Sequence, residues 1–90
     1  MKKIFIVRDR MFWDGMWYGD NTEVYLSKEK AEIGMCRRFN AHLYDLTELG
    51  EAILDKTLES DSGSFSTDRN KKFECWVEEL EWCEDLEMFY

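Results

Sequence analysis

The chain has no proline, one histidine and no long apolar run, and each shortage narrows what it can be. Without proline, no fixed kink or cis X-Pro bond shapes the backbone, so Gly, Asn, Asp and Ser must mark the turns. The opening apolar run, Ile4-Phe5-Ile6-Val7, is shorter than a signal peptide's hydrophobic region and reads as a strand. No segment approaches the roughly 20 apolar residues that cross a bilayer as a helix, so no membrane is expected among the partners. The three cysteines, Cys36, Cys75 and Cys83, are odd in number and follow no framework spacing, which points to a reducing cytoplasm. They form no C-x-x-C, no glycine-rich phosphate loop follows a strand, and no calcium loop is present. No metal, nucleotide or other cofactor is expected.

Catalysis has little to draw on. Cys36 and His42 fall on one helical segment, but six residues of helix turn their side chains roughly 120° apart. Nucleophilic catalysis by the pair needs a break between them, and a packed thiol with a helix-end imidazole is the simpler reading. A small Cys/His enzyme therefore stands behind a protein without catalytic residues.

What is present suits a small folded domain: 90 residues, 44% of them apolar and 16% aromatic. Such a length accommodates one domain, residues 1–90, with a small dense core. Lys3 to Arg8 forms a strand with both faces partly covered. The segment Met11 to Asn21 reads as a long aromatic hairpin connection in which Asp14-Gly15 suits a type I′ turn. Thr22 to Leu26 forms a second strand, antiparallel to the first. Ser27 caps a helix whose apolar face is Ala31, Met35, Phe39, Leu43 and Leu46. Gly34 within it marks either close packing against the sheet or a weak point.

A second helical pattern places Leu46, Leu49, Ile53 and Leu58 inward, either continuing the first helix or following a break. Residues 59–70 have the most loop-like composition and are expected to be a mobile loop. Lys72 to Val77 begins a third strand, with Phe73, Cys75 and Val77 on one face. Beyond Glu79 a bulge, a face switch or a helix all fit residues 80–90; a long strand ending near Cys83 is preferred. The expected fold is α+β, a three-stranded antiparallel sheet of ββα(α)β order with one or two helices on one face.

Charge is unevenly spread along the chain. Residues 1–73 carry 13 Asp/Glu against 12 Lys/Arg, while residues 74–90 carry Glu74, Glu78, Glu79, Glu81, Glu84, Asp85 and Glu87 with no basic residue. With a pI near 4.6 and basic residues only in small groups (Lys2, Lys3, Arg8, Arg10; Arg37, Arg38), direct nucleic-acid binding is not expected. Carboxylates along a rigid element can instead imitate a phosphate backbone on a basic protein surface, or simply keep a strand soluble. Trp13, Trp17 and Tyr18 are residue types enriched in interface cores, and they equally suit a role as cover for a small sheet.

The run Glu23-Val24-Tyr25-Leu26-Ser27-Lys28-Glu29-Lys30-Ala31-Glu32 after a first strand, with Trp76-Val77-Glu78-Glu79-Leu80-Glu81 closing the pattern, resembles small uncharacterised ββαβ proteins of phages and mobile elements. The resemblance covers residues 3–8, 23–39 and 73–81; the Trp-rich connection and the second helix depart from it. It implies a fold and a viral or mobile-element origin, with the host cytoplasm as the place of action, and it implies no activity. Together these features lead us to expect a non-enzymatic inhibitor, anti-CRISPR-like, that binds a basic surface of a host nucleic-acid-handling defence protein such as a CRISPR effector. Its expected contacts are Glu74, Glu78, Glu79, Glu81, Glu84 and Asp85, anchored by Trp13, Trp17 and Tyr18. The rival reading is an accessory protein that self-assembles through its aromatic patch, so either a monomer or a homodimer is expected.

Overall fold

A computed structural model describes residues 2–82. The elements are β1 (Lys2–Trp13), β2 (Met16–Tyr25), α1 (Lys28–Glu48), β3 (Ile53–Leu58), β4 (Ser62–Thr67) and β5 (Lys72–Trp82). The strands form one antiparallel sheet in the order β2-β1-β5-β4-β3, and α1 crosses one face of it. The α+β class is as expected, with β1 and β2 antiparallel neighbours. The sheet, however, has five strands rather than three, and there is one helix.

Each difference has a local cause. Asp14 and Gly15 both take positive φ, 54° and 79°, as a two-residue type I′ turn requires. So tight a turn lets both strands run through the aromatic segment that had read as a connection. In β2 a bulge follows: Arg8 pairs with Thr22 but Arg10 pairs with Gly19, so β2 has one extra residue between them. A Cβ at Gly19 would lie 2.9 Å from the Asp9 carbonyl oxygen and from the Arg10 Cβ, which is why glycine sits there.

α1 opens as expected, with the Ser27 hydroxyl accepting from the Lys30 N–H at 3.4 Å. It ends in a Schellman arrangement: Glu51 N–H donates to Leu46 O at 3.1 Å, Gly50 N–H donates to Thr47 O at 3.0 Å, and Gly50 has φ 86°. That glycine terminates the helix and rules out the second one, so Ile53 to Leu58 extends as an edge strand. The segment read as a loop contains β4, whose small residues hide a period of two: Gly63, Phe65 and Thr67 are buried while Ser62, Ser64 and Ser66 face away.

β5 keeps unbroken register with β1 from Phe12↔Lys72 to Lys2↔Trp82, so the phase change after Glu79 needs no bulge. Cys75, Val77, Glu79 and Glu81 alternate onto the helix side; Glu74, Trp76, Glu78 and Leu80 face the other way. Residues 83–90, including Glu84 and Asp85, lie outside the described residues.

The core lies between α1 and the sheet and comprises Phe5, Val7, Ala31, Met35, Phe39, Leu46, Phe65, Phe73 and Cys75. Phe39 meets Phe65 edge-on, with centroids 5.5 Å apart and planes at 84°, and Phe65 stacks on Phe73 at 5.2 Å. Gly34 is a close-packing site, since a Cβ there would overlap the Tyr25 ring, with Cζ at 2.7 Å. The face of the sheet away from α1 has no covering element among the described residues.

Candidate functional site

β5 lies against β1, and this placement changes the meaning of its charge. On the uncovered face Arg8 Nε donates to Glu78 Oε2 at 3.0 Å, and Arg10 Nε donates to Glu74 Oε1 at 2.7 Å, with Nη2 at the same distance from that oxygen. Trp76 Nε1–H donates to the second Glu78 oxygen, Oε1, at 2.8 Å. These side chains are 38–46% exposed, so the pairs are worth little to stability but hold the groups in place. Arg8 and Arg10 therefore neutralise glutamates 70 and 64 positions later in the chain.

Glu79 and Glu81 are differently placed. They project on the helix side near the end of β5, where Lys3 approaches Glu79 loosely at 3.8 Å. The β3–β4 turn joins them: the Asp61 carbonyl accepts from the Val77 N–H at 2.9 Å. A cavity of about 180 Å³ there is lined by Phe5, Lys28, Asp61, Val77 and Glu79.

The three aromatics named from the sequence do not share a face. Trp13, Trp17 and Tyr18 are 54%, 43% and 48% exposed, all near the β1–β2 turn at the opposite end of β1 from Lys3. Trp13 and Tyr18 lie on the helix side, with centroids 6.2 Å apart, and Lys71 Nζ sits 5.5 Å from the Trp13 ring. Trp17 faces the uncovered side, where Phe12 meets it at 5.3 Å and the Arg10 guanidinium lies 4.2 Å from its centroid. Arg10 is also 5.7 Å from Trp76, so it is flanked by two indoles.

Trp17, Glu74 and Glu78 therefore share the uncovered face, linked through Arg10, Trp76 and Arg8, whereas Trp13 and Tyr18 share the helix side with Glu79 and Glu81 but lie towards its other end, with no contact linking them among the described residues. Strand alternation in the sequence places Trp76 with Glu74 and Glu78, as found, but the reading leaves Arg8 and Arg10 out of that face. The alternation Arg8, Arg10, Phe12 between Val7, Asp9 and Met11 carried the signal. It was obscured because β1 was ended at Arg8.

Other polar groups serve the fold. Asp9 is buried and accepts from Arg38 Nε, while Arg38 also reaches Glu23 at 3.7 Å. Glu51, 4% exposed, accepts from Lys71 Nζ at 2.6 Å and from Thr67 Oγ1 at 2.8 Å. Burial alone would push the Glu51 carboxyl up, but these two donors and the positive charge of Lys71 hold it below its ordinary value. Burial, reinforced by Asp9, pushes the Cys75 thiol up to about 12, so it stays protonated and a poor nucleophile near neutral pH. His42 stacks on Phe73 with centroids 4.4 Å apart, and its Nδ1–H donates to the Arg38 carbonyl at 2.9 Å. No hydrogen bond joins Cys36 to His42, and no cluster of three or more His, Cys, Asp or Glu could hold a metal ion, among the described residues. Nor is any described helix long and apolar enough to cross a membrane.

Comparison with protein-family models, curated proteins and solved structures finds no match for this chain.

Proposed function

We propose that this chain is a non-enzymatic inhibitor that docks on a basic surface of a host nucleic-acid-handling defence protein, in the manner of an anti-CRISPR. The contact is the acidic end of the sheet, not the whole of β5. One observation carries this reading: Arg8 and Arg10 pair closely with Glu78 and Glu74, whereas Glu79, near the end of β5, is met only loosely by Lys3 at 3.8 Å. Glu79 lies there with Asp61 of the β3–β4 turn, Glu81 is the next residue of β5 on the same face, and Glu84 and Asp85 follow β5 in sequence. Carboxylates on a sheet end, in a chain of net charge −8, favour long-range attraction to a positive groove normally occupied by phosphates.

The test is capture of partners from bacterial lysate at low and high salt, followed by binding to the purified partner. Glu79→Lys with Glu81→Lys is expected to abolish a salt-sensitive interaction, while Glu74→Gln with Glu78→Gln leaves it within about threefold, since exposed pairs contribute little. Retention of a basic partner by the Glu79/Glu81 reversal would end the mimicry reading. The exposed hairpin end favours a second reading, self-association through Trp13, Met16 and Tyr18, which are 54%, 59% and 48% exposed. Concentration-dependent sedimentation that disappears in Trp13→Ser identifies it.

A further inference from the structure

The uncovered face is not flat. Along β4 it presents only hydroxyl side chains, Ser62, Ser64 and Ser66, whereas β5 beside it carries Trp76, Glu74 and Lys72 and β3 carries Thr57 and Asp55. Short residues between longer ones leave a trough that follows β4. It opens as a cavity of about 420 Å³ bounded by Arg10, Trp76, Thr57 and Ser62, and continues as one of about 200 Å³ towards Asp55 and Lys72. The two share Thr57, Ser64 and Glu74. At the usual strand rise, Ser62 to Ser66 spans about 13 Å, room for a short run of linked rings. The larger cavity alone falls in the size range of small-ligand sites, roughly 300–1,000 Å³.

We propose that this trough binds a linear neutral glycan. The chemistry lining it selects that class. A sugar needs donors and acceptors close together, and Arg10 paired to Glu74 supplies both from groups already fixed in position. Among the described residues the Ser62 and Ser64 hydroxyls make no side-chain hydrogen bond, so they are available to an incoming hydroxyl. The Trp76 indole gives an apolar surface for the C–H face of a pyranose, and its Nε1–H is already engaged by Glu78. A phosphodiester strand is disfavoured, because on this face Arg10 and Lys72 are matched by Glu74 and Asp55 and the chain carries a net charge of −8. The site is independent of the acidic sheet end and stands whether or not that end binds a protein.

The test uses the full chain and defined probes: hexaoses of β-1,4-glucose, α-1,4-glucose and β-1,4-N-acetylglucosamine, with oligothymidylate as the anionic comparison. Binding is followed by tryptophan emission and by amide chemical shifts. We expect at least one hexaose to bind with Kd below about 1 mM, with less than about a twofold change between low and high salt. Ser64→Leu, which fills the trough, is expected to weaken it at least tenfold, and Ser62→Ala with Ser64→Ala, which keeps the room but removes the hydroxyls, at least threefold. Glu79→Lys should leave glycan binding unchanged. Thermal melting separates these effects from unfolding, and the double alanine variant serves if the leucine variant is unstable. Failure of all three hexaoses to bind overturns the proposal. So does binding that survives both serine variants, or a salt-sensitive preference for oligothymidylate, which would reassign the trough to a nucleic-acid strand.

Discussion

The two faces of the sheet are built from alternate residues of the same strands and do opposite things. Towards α1, Phe5, Val7, Phe65, Phe73 and Cys75 close on Met35 and Phe39 with almost no exposure. Away from it, Arg8, Arg10, Trp17, Trp76, Glu74 and Glu78 form a lattice of ion pairs and indoles, much of it still in contact with water. The covered face holds most of the area that drives folding; the uncovered face, apart from Ile6 at 6% exposure, has ordered polar chemistry and little stability to lose. Burial and exposed polar order are thus separated by a single step along each strand.

Removing a ring from the covered face gives the sharpest measure of that division. Phe39 is 1% exposed and touches Phe65 and Phe73, so Phe39→Ala combines lost transfer energy with a cavity between helix and sheet. A loss of about 4 kcal/mol in urea unfolding is expected. Against a total of about twice that for so small a domain, the variant sits near its unfolding threshold.

A smaller but still large effect is expected at the buried pair that ties the chain after α1 to the start of β5. Lys71→Met leaves Glu51, whose side chain is 1% exposed, without its ammonium partner, and about 3 kcal/mol should be lost. The same pair sets an acid response. With its folded pKa held below the ordinary 4.5, the Glu51 carboxyl contributes stability that is present above that value. As pH falls, the unfolded chain takes up the proton first, so this contribution is lost until the folded carboxyl protonates as well. Unfolding midpoints measured from pH 6 down to pH 3 should decline in the wild type more steeply than in Lys71→Met, where burial rather than pairing governs Glu51.

These contrasts also show where the fold was readable before any coordinates. Apolar residues at Ala31, Met35, Phe39, Leu43 and Leu46, a serine ahead of them, and Asp14-Gly15 between strand-like runs were legible because each acts locally. β4 was not, because Ser-Gly-Ser-Phe-Ser-Thr has loop-like composition and only its pairing with β5 gives the alternation meaning. Gly50 was overlooked because a spacing of apolar residues ignores the one position that must take positive φ. The acidic segment misled most. Charge counted along the chain isolates residues 74–90, yet register places Arg8 and Arg10 across from them. Which side Trp17 and Tyr18 occupy depends on the bulge in β2, and nothing in their own composition announces it.

The smallest expected effect tests the comparison from the uncovered side. Arg10→Met removes a guanidinium that touches Glu74, Trp17 and Trp76, the most connected group on that face. If the face serves recognition, unfolding free energy should fall by less than about 1 kcal/mol, because Glu74 is 39% exposed and regains water when its partner leaves. The local environment should change all the same: with no cation over its ring, Trp17 emission should shift while the melting curve hardly moves. A loss above about 2 kcal/mol would mean that the lattice of Arg8, Arg10, Glu74 and Glu78 acts as a unit whose coupling exceeds its separate pairs. The uncovered face would then belong to the folding core, and its order would no longer point to a ligand.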